Sequence, residues 1–489
     1  MNRRTFIHAA SAAGATGLGL SSRLGLAGSD GSVARLLTLL EDAPRERVPR
    51  ELVRMIRAGL RYENLLAALT LAAVRNVQPY PDVGFKYHSV LVLRAIHAAT
   101  RQLSAADRWL PIVWAADYFK ECQAQERDAG EWRLPARPAV SIGNPQGARR
   151  ALIDALDRWD RDAADAAVVA YASVATPDEV FSLLFPYGAR DLREIGHKSI
   201  TVSNAHSLVG LLGSAWAEPI LRSTVAALQN SGGDPSPASH DLEPDRPWRQ
   251  NQPRLQRIAP NWRQGRDDPG ARTELRAALY RVSPEEAGAL VVDLLRQGIG
   301  ADALWRVLFS TAAELLMRQP GIVPLHAHTT ANALHYAYRM CGEDGTRRLL
   351  LLQCAAFVAM FGKFGTGAQD INLAELQPAP LGGRSGDALD EIFSELSSGG
   401  RLQAARKSLG YLQGGGDAGA LIARARRHVV LNASEAHDYK FAEAVFDNQA
   451  QVPDAAWRIR YLSAGMAYFK APANRPGPVV VETLELLGG

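Results

Sequence analysis

GIVPLHAHTTANALHYAYR, residues Gly321 to Arg339, decides how the chain is read. Pro324 fixes φ at a value suited to the first turn of a helix, and the residues after it are good or tolerable helix formers. One helix is therefore expected here, carrying three of the chain's eleven histidines, His326, His328 and His335. At about 100° per residue His326 and His335 project to opposite sides, whereas His328 and His335 share a face about 10 Å apart along the axis. The three cannot serve one small centre, and a histidine among small apolar residues on a helix is most often a packed, hydrogen-bonded one.

Working outward, the same periodicity continues on both sides. VARLLTLLEDA and ELVRMIRAGLRYENLLAALTLAAVRNV place apolar residues at three- and four-residue intervals. TRRLLLLQCAAFVAMFGKF is apolar nearly all round and reads as a buried central helix. Strand-like alternation is nearly absent, so the expected fold is all-α, a multi-helical orthogonal bundle of many short helices. Local signals set the boundaries. Pro79, Pro81 and Gly84 make a loop from which Phe85 opens a helix, and Ser104 is expected to cap the helix bearing Trp109, Trp114, Tyr118 and Phe119. That aromatic stripe reads as core. Gly130 to Gly147 is a loop, Glu218-Pro219 is expected to break or kink a helix, and Ser283 with Glu286 forms a capping box. Asn230 to Trp262, dense in Pro, Asp, Asn and Gln, reads as a surface connection or lid. Gln377 to Asp387 and Gly414 to Gly416 read as flexible joints. The chain thus divides into 1–28, 29–229, the 230–262 lid, and 263–489, the last packing on 29–229 as one unit.

Residues 1–28 read as a twin-arginine export signal: Arg3 and Arg4, then Thr5, Phe6 and Ile7, then a mildly apolar Ala/Gly/Leu run too short and glycine-rich to span a membrane. The expected location is periplasmic or secreted, with the export machinery as a partner and no integral membrane segment afterwards. Removal of Arg3, Arg4 and Arg23 leaves 52 basic against 51 acidic residues, a balance that argues against nucleic acid. With 489 residues, 47% hydrophobic and 22% charged, the chain can build a large core. Cys122, Cys341 and Cys354 are too few for a disulfide framework and read as small buried hydrophobes.

Four histidine pairs share one offset: His88/His97, His197/His206, His326/His335 and His428/His437 are each nine residues apart. Random placement would give roughly a quarter of a pair at any chosen offset. Nine residues turn a helical side chain to the opposite face, so only one member of each pair can enter a shared cavity. Four helices each giving one histidine would surround a centre as metal-binding bundles do, and neutral imidazoles suit iron, copper, zinc or haem iron. No HExxH, CxxCH, phosphate loop, GxSxG or dinucleotide fingerprint is present, and a pocket using histidines as acid and base stands beside the metal reading. Around two of these histidines the chain is charged: GARDLREIGHKS holds Asp191, Glu194, His197 and Lys198, and EAHDYK holds Glu435, His437, Asp438 and Lys440. Glu194 and Lys198 alone predict only a solvated i,i+4 pair.

In order, FKYHSVLVLRAIH, LREIGHKS, LHAHTTANAL and EAHDYKFAEAVF resemble the motifs of the questin oxidase-like family, over Pro79 to Phe446. The chain also resembles twin-arginine-exported bacterial proteins with the same motif set. The resemblance implies an all-helical protein that inserts oxygen beside an aromatic ketone in a Baeyer–Villiger manner. It matches His88, His197, His326, His437 and Lys440 to histidines or basic residues of those motifs. Export is a poor fit to a soluble NADPH donor.

The leading expectation is an exported oxidoreductase, an oxygenase acting on a hydrophobic or aromatic small molecule. His88, His197, His326 and His437 would converge as metal ligands, for iron or copper, or as acid/base groups, and Lys198 or Lys440 would stabilise developing negative charge. A polysaccharide lyase-like α/α enzyme using Asn332, His335, Tyr336 and Arg339 is the second reading, and a non-catalytic helical scaffold or binding protein is the third.

Overall fold

Apolar residues at helical spacing fold as expected. The computed structural model describes residues 31–79, 86–141, 143–362, 370–382, 388–451, 454–472 and 476–488, and among them it is all-α, with no strand and one isolated bridge between Arg266 and Ile299. The export signal, the Pro81–Phe85 stretch and most of the end of the Gln377–Asp387 joint fall outside the described residues. Buried apolar side chains from Val33 to Val480 form one contiguous core.

Seven helices position the site: α1 (His88–Leu91), α2 (Leu93–Gln102), α3 (Leu110–Asp128), α4 (His197–Leu212), α5 (Ile322–Met340), α6 (Asp344–Gly362) and α7 (Ala436–Gln451). The organising stretch is α5, buried from Pro324 to His335 and packed against α4, α6, α7 and the helix Ala301–Arg318. Its small residues Ala327, Thr330, Ala331 and Ala333 are what let those neighbours approach. α6 is buried nearly all round, as its composition predicts. Cys122, Cys341 and Cys354 are free and buried.

Three local expectations change. Ser104 closes a turn by accepting from the Asp107 N–H at 3.3 Å, and α3 starts only at Leu110, because Pro111 lacks an N–H and suits a first turn. The break expected at Glu218-Pro219 occurs at Gly213, whose φ of 93° favours glycine, and Pro219 sits harmlessly in the first turn of Ala217–Leu228. The capping box at Ser283 and Glu286 forms as read. The 230–262 segment, read as a surface connection or lid, is largely exposed but more ordered than a plain loop: it contains the helix Arg246–Arg254, and Asn251, Ile258 and Trp262 are buried. Asn251 donates to Gln353 Oε1 on α6 at 2.8 Å, and Asp245 takes both guanidinium nitrogens of Arg193 at 2.6 and 3.0 Å. Among the described residues no helix is long and apolar enough to cross a membrane.

Candidate metal centre

One ring nitrogen from each of His88 (α1), His197 (α4), His326 (α5) and His437 (α7) lies within 4.8 Å of the others, and all four residues are buried. Each nine-residue pair sends one member inward; for His197/His206 and His326/His335, which share a helix, helix geometry requires it, whereas His88/His97 and His428/His437 are split between two helices, so there the chain path decides. The other members find separate surroundings. His206 bonds the Tyr336 hydroxyl at 2.8 Å, His335 packs against Trp305 and Phe309, His428 bonds the Lys470 carbonyl at 2.9 Å, and His97 lies against Tyr62. His328 stacks on Tyr461.

The turn before His197 is built for this purpose. Glu194, Ile195 and Gly196 take φ values of 52°, 49° and 90° in succession, and a β-branched residue in that region carries strain of about 1–3 kcal/mol. The turn aims the Glu194 carbonyl at the His197 ring, whose Nδ1–H donates to it at 2.6 Å. Thr330 on α5 holds the turn by donating to the Ile195 carbonyl at 3.0 Å, and Thr330 leaves no room for a Cβ at Gly196.

The backbone also assigns the tautomers. A carbonyl can only accept, so the contacts of His197 Nδ1 to Glu194 O and of His326 Nδ1 to Ile322 O, both 2.6 Å, place the proton of each neutral ring on Nδ1. The two Nε2 atoms are then lone pairs, and they face each other at 3.0 Å. His88 Nε2 stands 3.4 Å from His197 Nε2. His437 Nδ1 donates to Glu435 Oε2 at 3.4 Å, and its Nε2 is buried with no partner. Two lone pairs at that separation repel unless a cation lies between them. Ligands about 2.0–2.1 Å from a metal stand roughly 2.9–3.4 Å apart in octahedral or tetrahedral arrangements, which brackets the His197–His326 and His88–His197 pairs, while the four nitrogens as a set lie within 4.8 Å. Nδ1–H held by an oxygen, with Nε2 pointing inward, is also the usual way a protein orients metal-binding imidazoles. The residues fit a metal ion.

A proton is the weaker candidate for that cation. Burial pushes His88, His197 and His326 well below the ordinary imidazole range, and Lys440 reinforces the effect on each. Burial takes His437 down to about 4 against the opposing Glu435 bond. Lys440 itself is pushed down to about 7 by burial, and its Nζ has no hydrogen-bond partner. Lys198, read with Lys440 as a charge stabiliser, points elsewhere: its Nζ bonds Asp191 Oδ2 at 2.7 Å and the Asn230 carbonyl, and it stands over Trp159.

Lys440 also lines a cleft of about 470 Å³ bounded by α2, α4, α5 and α7, whose lining includes none of the four histidines. Arg94 pairs with Asp447 at 3.0 Å, and Arg426 grips Glu443 through two bonds of 2.7 and 2.9 Å. Arg94, Glu443 and Asp447 escaped the sequence reading. Glu443 and Asp447 stand three and seven residues after Lys440, which puts all three on one face of α7 and was a usable signal. The lyase residues do not assemble: Asn332 lines the cleft, Tyr336 serves His206, and His335 packs against aromatics. Comparison with protein-family models, with curated proteins and with solved structures gives no match.

Proposed function

We propose that the chain is an oxidoreductase built around one transition-metal ion held by His88, His197, His326 and His437, with a small organic substrate in the cleft beside Lys440. The observation that carries the metal is the pair of Nε2 lone pairs 3.0 Å apart on rings whose Nδ1 protons are tied to backbone carbonyls. An all-imidazole shell suits iron and copper as well as zinc. The motif order shared with the questin oxidase-like family supports the redox reading and, within it, Baeyer–Villiger-like oxygen insertion. In that reaction one atom of dioxygen enters the substrate and the other leaves as water, with two electrons and two protons supplied by an external reductant. The twin-arginine segment supports export to the periplasm, where a membrane- or protein-borne donor replaces NADPH. Lys440 would neutralise negative charge developing on the substrate.

Elemental analysis with an absorption spectrum of the purified mature protein tests this. About one equivalent of iron or copper, lost in both His197→Ala and His326→Ala, is the expected result. Stoichiometric zinc would keep the centre and remove the redox assignment. A metal-free protein that takes up no iron, copper or zinc on reconstitution would sink both.

A further inference from the structure

The cleft has a chemistry of its own. Its apolar lining comes from Leu91, Ala95, Ile200, Ala333 and Phe446, and the volume of about 470 Å³ falls in the range of small-molecule sites. Its two acids are already neutralised, Asp447 by Arg94 and Glu443 by Arg426. The cations left over are Lys440, whose Nζ is buried without a hydrogen bond at the inner end, and Arg101, exposed on the lining and in no ion pair among the described residues. A buried ammonium without a partner is strongly disfavoured and tends to shed its proton, and an anionic group from a ligand is what would hold the charge there. A neutral hydrocarbon would leave it unmatched, and a phosphate ester would bring two charges to one buried cation.

We propose that this cleft binds an organic carboxylate with an apolar body, its carboxylate on Lys440 and its body along the apolar lining of Leu91, Ile200 and Phe446. This narrows the substrate class of the proposed function and rests on that reading only in calling the cleft the substrate site. The carboxylate reaches the one side chain that both lines the cleft and acts on all four histidines, so the charged end of the ligand lies nearest the centre.

Isothermal titration calorimetry of the full-length mature protein with 2-naphthoate and with its neutral analogue 2-naphthalenemethanol tests the inference. Naphthoate should bind at one per chain and about tenfold or more tighter than the alcohol, the scale of a charge-assisted hydrogen bond. Lys440→Met should bring the two ligands within about twofold, while Arg101→Gln on the open side should weaken naphthoate less. A thermal melt of Lys440→Met establishes that it is folded. Equal affinity for the two ligands, no binding of either, or a preference that survives Lys440→Met would overturn the proposal. Elemental analysis and metal reconstitution of the same sample separate the two readings: charge preference in a protein that neither holds nor takes up metal defeats the metal centre alone, and metal without charge preference defeats the carboxylate alone.

Discussion

Lys198 and Lys440 are both buried, and each follows a histidine of the centre within one helical turn, yet their surroundings are opposite. Lys198 has a carboxylate at 2.7 Å, a backbone carbonyl and an indole face, and Asp191 beside it is shared with Arg193 at 3.7 Å. Lys440 has no hydrogen-bond partner, and four imidazoles feel its charge. A buried ion whose partners are all supplied by the chain holds structure together; one whose partners are missing carries an energetic cost, and the proposed carboxylate site rests on that cost.

The contrast can be tested by variants, beginning with the largest effect. Lys198→Met removes the closest cation from buried Asp191, leaving it only Arg193 at 3.7 Å, and should cost about 3–5 kcal/mol in urea unfolding. A cost near zero would erase the distinction between the two lysines. Gly196→Ala puts a Cβ against Thr330 at a left-handed position, and a loss of roughly 1–3 kcal/mol is expected, together with weaker metal uptake because the Glu194 carbonyl would shift off His197.

His335 supplies a histidine of the satisfied kind on the same helix as His326. Burial takes it down to about 3, below the value near 6.5 of an unfolded chain, so the unfolded state binds the extra proton between these limits. Its contribution to stability is therefore lost as pH falls from about 6.5 toward 3, with a slope of about 1.4 kcal/mol per pH unit. His335→Phe should flatten the stability–pH curve by that slope, read from urea titrations at pH 6.5, 5.5 and 4.5. Lys440→Met has the opposite sign, a gain in stability at neutral pH. Wild-type Lys440 releases its proton near 7 when folded and near 10.4 when unfolded, so its penalty fades as pH rises through that window. The gain of the variant should vanish near pH 10, and a loss of stability at pH 7 would show that Lys440 has a partner after all.

The two lysines also show what the sequence could and could not carry. Helices, the capping box at Ser283 and the one-in, one-out split of His197/His206 and His326/His335 follow from periodicity, which depends only on neighbours along the chain, whereas the His88/His97 and His428/His437 pairs are divided between two helices that periodicity does not separate. Lys198 and Lys440 look alike in sequence, each close to an acid and a histidine. Only tertiary packing brings Asn230 and Trp159 to one of them and no hydrogen-bond partner to the other. The left-handed turn at Glu194 and Ile195 is equally hidden, since neither residue favours it and Thr330, more than a hundred positions away, holds it. The order within 230–262 is hidden in the same way: Pro and Asp read as a surface connection or lid, while the partners of Asn251 and Asp245, Gln353 and Arg193, lie outside the segment.

The clustered histidines His88, His197 and His326 are successively 109 and 129 residues apart, and His437 comes from the last helix of the site. An ion bound to all four would be a four-way cross-link, closing loops of more than a hundred residues, and would draw stability from restricting the unfolded chain as well as from its bonds. Loading would thus report completion of the fold: a chain shortened before Ala436 lacks the fourth ligand, however well its first helices have formed.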